Sequence, residues 1–273
     1  MSKIVIGIHG LGNKPPAKKL YEQGWKKAIL EGIAVNRGIT GKDFNFEGVY
    51  WADKLYNKPD TNADTYRKAK KGALKSYREG FLEEMIAPIE DLIGSGIDWF
   101  KRTFDANDLA DSIMKKKLKD LDKYYTDDDI HNALIGRLTE KLIAHADSRI
   151  MLVAHSMGSI IAYDTLRQLG RTNSAVSIDH FVTIGSPLGL PHIINKMHQT
   201  YGSVKTPTAV KRWTNYADRR DPVAADERLA DDYTANIAGV RVVDDLVLND
   251  WRVKRVWFIN KSNYANIRKR KLK

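Results

Sequence analysis

Four short apolar runs, each bounded by turn-forming residues and separated from the next by segments with helical spacing, constrain this chain more than any other feature. They are Lys3 to Ile8, Phe46 to Trp51, Arg149 to Ala154 and His180 to Ile184. A run that stays apolar instead of alternating suits a strand buried on both faces, the usual state in a parallel sheet covered by helices. Two further runs, Val210 to Tyr216 and Val240 to Leu248, alternate less cleanly. Between the strands, Pro15-Pro16 suits a helix start, and Ala17 to Val35 continues it with helical apolar spacing. Asp127-Asp128-Asp129 offers N-caps for a helix running to about Ala146, and another helix is expected over Ile160 to Leu169. Strands alternating with helices predict an α/β chain with a mostly parallel central sheet flanked by helices.

With 273 residues, 42% of them hydrophobic, the chain can build one large core, and residues 1–273 read as a single domain. The absence of cysteine excludes disulfides, thiolate metal sites and thiol catalysis. Met1-Ser2-Lys3 leads directly into the first strand without the features of a secretory leader. No stretch approaches the roughly 18 apolar residues of a membrane-spanning helix. A soluble, cytoplasmic protein is therefore expected, with any membrane contact peripheral. The segment from Asp60 to Tyr125 breaks the strand pattern: it is charged, lysine-rich and helical, with Tyr66, Leu74, Tyr77, Phe81, Ile86 and Ile89 as recurring apolar members. It reads as an insertion, either a lid over a site or a helical pack against one sheet edge. The net charge of +11 and the basic end Arg268 to Lys273 ordinarily mean a solvated basic surface, although a nucleic-acid or anionic-membrane surface is the competing meaning. No specific nucleic-acid motif is present.

The most informative local pattern is Met151-Leu152-Val153-Ala154-His155-Ser156-Met157-Gly158-Ser159, a buried strand entering a small-x-Ser-x-Gly turn before a helix. A sharp strand-to-helix turn lifts a serine hydroxyl above the sheet, and small residues two before and two after it prevent clashes. Ala154 stands where glycine is more usual. Ser156 is the candidate nucleophile, while neighbouring His155 points elsewhere in such a turn and reads as a packing residue. Directly after the first strand comes Ile8-His9-Gly10-Leu11-Gly12. Acyl transfer develops negative charge on a carbonyl oxygen, and backbone N–H groups aimed at it stabilise that charge. The N–H groups of Leu11 and Met157 are the candidate donors of this oxyanion hole. A phosphate-binding loop is excluded, because Asn13 and Lys14 stand where that motif needs lysine and a hydroxyl.

In their order along the chain these segments resemble the α/β-hydrolase superfamily, in particular its lipase-like and esterase-like members. The resemblance rests on the His9-Gly10 loop, Val49 to Asp53, the Ala154 to Gly158 elbow, Thr183 to Leu188 and Asn215 to Val223, and it spans most of the chain apart from the insertion. It implies a catalytic carboxylate after the strand that follows Gly185-Ser186-Pro187. Asp221 in Arg220-Asp221-Pro222-Val223 matches best, with Asp218 as runner-up. It also implies a histidine after the last strand, in a segment of the form His-Ser-x-Tyr. Here the chain departs from the pattern: its seven histidines, the last of them His198, all precede Asp221, and the corresponding segment is Lys261-Ser262-Asn263-Tyr264.

A lysine serves as base only when neutral, which requires its pKa to fall from about 10.4 toward roughly 7 to 8. A carboxylate beside it acts in the opposite direction and holds the ammonium form. Lys261 paired with Asp221 is thus expected to impair turnover. The alternative base is His192, in Gly189-Leu190-Pro191-His192, which follows a strand on the same rim as Ser156. The expected function is hydrolysis of a small-molecule or lipid carboxylic ester through Ser156, without cofactor or metal. The alternative is an inactive α/β-hydrolase-like binding protein.

Overall fold

A computed structural model describes residues 1–61, 119–172, 175–217 and 228–247. Its centre is a six-stranded sheet formed by β1 (Lys3–Ile8), β2 (Asn45–Val49), β3 (Arg149–His155), β4 (Ile178–Ile184), β5 (Trp213–Ala217) and β6 (Val242–Leu246). The spatial order is β2-β1-β3-β4-β5-β6, and every neighbouring pair is parallel. Helices flank the sheet: α1 (Ala17–Leu20) passes through a π-helical segment, Tyr21–Lys26, into α2 (Lys27–Arg37), and α3 (Asp128–Ala144), α4 (Met157–Arg171) and α5 (Pro191–Tyr201) follow. This is the α/β-hydrolase fold. Among the described residues no helix is long and apolar enough to cross a membrane.

The continuous apolar runs have the expected cause. In β3, Ile150, Leu152 and Ala154 join a core shared with Leu134, Leu138 and Leu142 of α3 and with Ile160, Ile161 and Leu166 of α4. Val153, between them, joins a second core with Leu20, Tyr21, Trp25 and Ala28 on the other face. Both faces of the strand are therefore buried. Asp127 caps α3 by accepting the Ile130 N–H at 3.0 Å.

Strand ends moved where a backbone group found a better partner. The second apolar run extends to Trp51, but the strand stops at Val49 because the Trp51 N–H turns to the buried His9 Nε2 at 3.1 Å. Val210 contributes only an isolated bridge to Ile178, and β5 begins at Trp213. The part of the insertion at residues 62–118 lies outside the described residues, and so does residue 248 at the end of the sixth run.

The almost wholly buried α4 carries a carboxylate, Asp164, which accepts the hydroxyls of Tyr124 at 2.6 Å and Tyr201 at 2.7 Å. Burial is the main cause that raises its pKa above the ordinary carboxylate value, against these two hydrogen bonds. Between the unfolded and the folded pKa the native state binds more protons than the unfolded state, so this group's contribution to stability falls as pH rises through that window. Asp164→Asn keeps an acceptor and removes the titration. Urea unfolding should show the stability difference moving in favour of Asp164→Asn as pH rises above the ordinary carboxylate value. A pH-independent difference would contradict the assignment.

Candidate active site

In a parallel sheet all strand C-termini share one rim. Here the chain turns from β1 toward β2 on one side, while β3 and its successors lie on the other. The crevice at such a switch point, outside the ends of β1 and β3, is where open α/β sheets place their sites. The His9-Gly10-Leu11 loop leaves β1 there, and Ser156 leaves β3 there.

Ser156 has φ 51° and ψ −130°, and it is the sole non-glycine residue with positive φ among the described residues. Such a backbone costs on the order of 1–3 kcal/mol and persists only when its surroundings hold it. Its N–H donates to Ile184 O at 3.0 Å, and its carbonyl accepts the Ser159 N–H at 2.8 Å. The chain on either side is packed too closely for a side chain. A Cβ on Gly158 would lie 2.6 Å from His9 O, and one on Gly10 would lie 2.6 Å from Ser156 Cβ. The two loops are thus pressed together through their glycines. Ser156 itself is 8% exposed.

The loop after β1 is braced from every side. His9, fully buried, stacks on Trp51 at 4.5 Å between ring centroids. Its Nε2 accepts the N–H groups of Trp51 and Ala52, so its Nδ1 carries the proton and donates to Gly10 O at 2.9 Å. Burial, chiefly, keeps the His9 pKa well below the ordinary imidazole value. With both nitrogens engaged, His9 is a structural residue. Gly12 N–H donates to Asp120 Oδ2 at 2.7 Å, the Tyr56 hydroxyl donates to the same carboxylate at 2.8 Å, and Lys14 Nζ donates to Leu11 O. Burial raises the Asp120 pKa, opposed by Gly12 and Tyr56. Among the described residues, no acceptor engages the N–H of Leu11 or of Met157.

The seven histidines are all described. His131 bonds Tyr124 O, His145 bonds Glu47, and His180 bonds Thr214 Oγ1. His198 lies on the exposed side of α5, and His155 packs against the position where Gly10 has no side chain. His192 opens α5 on the rim, half-buried. Burial first, then Lys196, lowers its pKa, leaving a neutral imidazole at pH 7. No hydrogen bond joins it to Ser156 among the described residues. Asp218, Asp221 and Lys261 lie outside the described residues. The chain leaves β5 at Ala217 and β6 at Leu246, side by side: the Val247 N–H donates to Ala217 O at 2.9 Å.

Residues 112–214 match the model of the lecithin:cholesterol acyltransferase family. The match takes in Ser156, Ser186 and His192 and ends before Asp221. It covers less than half of the chain and supports esterase-type α/β-hydrolase kinship at the superfamily level. No curated protein and no solved structure matches the chain.

Asp120, Lys14, Ser159 and Ser186 brace the two loops through hydrogen bonds that no motif in the sequence announces. Asp120 gave no signal at all, being separated from Gly12 by 108 positions. Ser186 stood inside a recognised Gly-Ser-Pro segment, but its partner was not inferable.

Proposed function

We propose that this chain is a serine hydrolase of carboxylic esters, with Ser156 as nucleophile and the N–H groups of Leu11 and Met157 as oxyanion hole. Asp221 is the proposed acid, with Asp218 as runner-up, and Lys261 is the proposed occupant of the base position. The observation that carries the reading is the strained Ser156 backbone at the switch point of the sheet, beside a braced loop. A residue held at positive φ by its surroundings invites a functional explanation.

In this reading Ser156 Oγ attacks the ester carbonyl carbon while its proton passes to the base, a step that a Lys261 ammonium paired with Asp221 impairs. The carbonyl oxygen becomes an oxyanion between Leu11 and Met157, the alcohol departs with a proton, and water releases the acid from the acyl-serine. The matched family's name speaks of lecithin, cholesterol and acyl transfer. Only the handling of an acyl group is carried over here, with a small-molecule or lipid ester as substrate and water as acceptor. The adjacent exits of β5 and β6 suit an acid and a base that meet beside Ser156. A second reading makes His192 the base, favoured by its neutral state and rim position.

The test is covalent labelling by an alkyl fluorophosphonate. The chain should label and Ser156→Ala should not. Equal labelling of both would refute the nucleophile. Absence of labelling, with an ester analogue still bound, would leave the inactive binding protein as the answer.

A further inference from the structure

We infer that Ser159, with its proton directed by Ser186, aims and polarises the Met157 N–H, making this buried serine pair a positioning device for the oxyanion hole. The inference rests on the hydrolase reading above. The peptide group joining Ser156 to Met157 is planar and trans, so its C=O and N–H point in opposite directions. Whatever fixes the Ser156 carbonyl therefore also fixes the line of the Met157 N–H.

That carbonyl accepts twice from one residue, the Ser159 N–H at 2.8 Å and the Ser159 hydroxyl at 2.6 Å. A carbonyl has no proton to give, so the hydroxyl proton of Ser159 lies toward Ser156 O. Ser159 Oγ stands 2.7 Å from Ser186 Oγ, and with its own proton committed it accepts the proton of Ser186. Ser186 Oγ accepts in turn from the Leu188 N–H at 3.2 Å. The chain of donors runs one way, from the loop after β4 to the 156–157 peptide. Ser159 and Ser186 are 0% and 2% exposed, so the pair is shielded from bulk water. In such surroundings successive hydrogen bonds strengthen one another, and a doubly bonded carbonyl makes its own N–H a better donor. Helix geometry alone needs only the Ser159 N–H, which alanine would supply equally. The hydroxyl is an addition directed at the peptide whose N–H faces the substrate.

The experiment measures fluorophosphonate labelling rates, ester kcat and KM, and thermal midpoints for the full chain and for Ser159→Ala, Ser186→Ala, the double variant and Ser159→Thr. Ser159→Ala should lower the labelling rate and kcat about tenfold with KM unchanged, a fraction of the hundredfold or more lost when a donor is removed outright. Ser159→Thr, which retains the hydroxyl, should recover most of the rate. Ser186→Ala should cost about threefold alone and nothing further when Ser159 is already alanine, because its effect passes through that hydroxyl. Parental rates in Ser159→Ala would overturn the inference. So would additive losses in the double variant, or losses that merely track a reduced folded fraction. A parent chain that does not label overturns the hydrolase reading and this inference with it, whereas a parent that labels and a Ser159→Ala variant that labels equally fast overturn this inference alone.

Discussion

Lys261→His is expected to raise kcat for ester hydrolysis by about a hundredfold to ten-thousandfold, the usual worth of general-base assistance. Serine attack requires a neutral acceptor for its proton. An ammonium paired with a carboxylate is held in the charged form, since a nearby opposite charge favours ionisation. Imidazole with the same partner is still largely available at pH 7 to 8, because its unperturbed pKa is only about 6.5. The nucleophile and oxyanion donors proposed above are common to both proteins, so KM should change little. Rates at several pH values separate the possible bases. If the unmodified chain turns over rapidly, Lys261→His is neutral and His192→Ala abolishes activity, then His192 is the base. If Lys261→Met alone abolishes a robust activity that rises with pH, a neutral lysine is the working base and the ion-pair argument is wrong.

Gly158→Ala is expected to lower activity at least about a hundredfold, a loss of the size that follows a displacement of about 1 Å near reacting groups. It should also cost about 1–3 kcal/mol of stability through overpacking. The added methyl would meet His9 O at 2.6 Å and Ile8 O at 2.7 Å. Both are backbone atoms, and neither can retreat. Ile8 is the last residue of β1, which is paired on both sides, and His9 is clamped by Trp51 and Ala52. The elbow must move instead, carrying Ser156 and the Met157 N–H away from Leu11. Gly136, in α3 with open space around its Cβ position, is the control, and alanine there should leave activity unchanged. Unfolding curves and ester kinetics on both variants check the contrast, and a fully active Gly158→Ala would contradict the close approach of the two loops.

Much of the scaffold was legible because its causes are local. β1 reads directly from Lys3 to Ile8, since a strand buried on both faces must be apolar at nearly every position. The strand-to-helix turn at Ser156 was legible for a similar reason: the strand, the small flanking residues and the helix all lie within a few residues of it. The cap Asp127 precedes the helix it serves.

What the amino-acid order alone determined, then, is the α/β class, most of the strands and helices, and the turn that carries Ser156. The tertiary structure decided the strand order that sets Ser156 beside Gly10, the shortening of β2 when Trp51 bonds His9, the bond from Gly12 to Asp120, and the pairing of Ser159 with Ser186. The physical reason is the same in each case. Periodicity and turn chemistry report only on neighbours in the chain, whereas a buried N–H or hydroxyl takes whichever acceptor the folded core brings within hydrogen-bonding distance, and the hydrogen-bonded partners named here lie 27 to 108 positions apart.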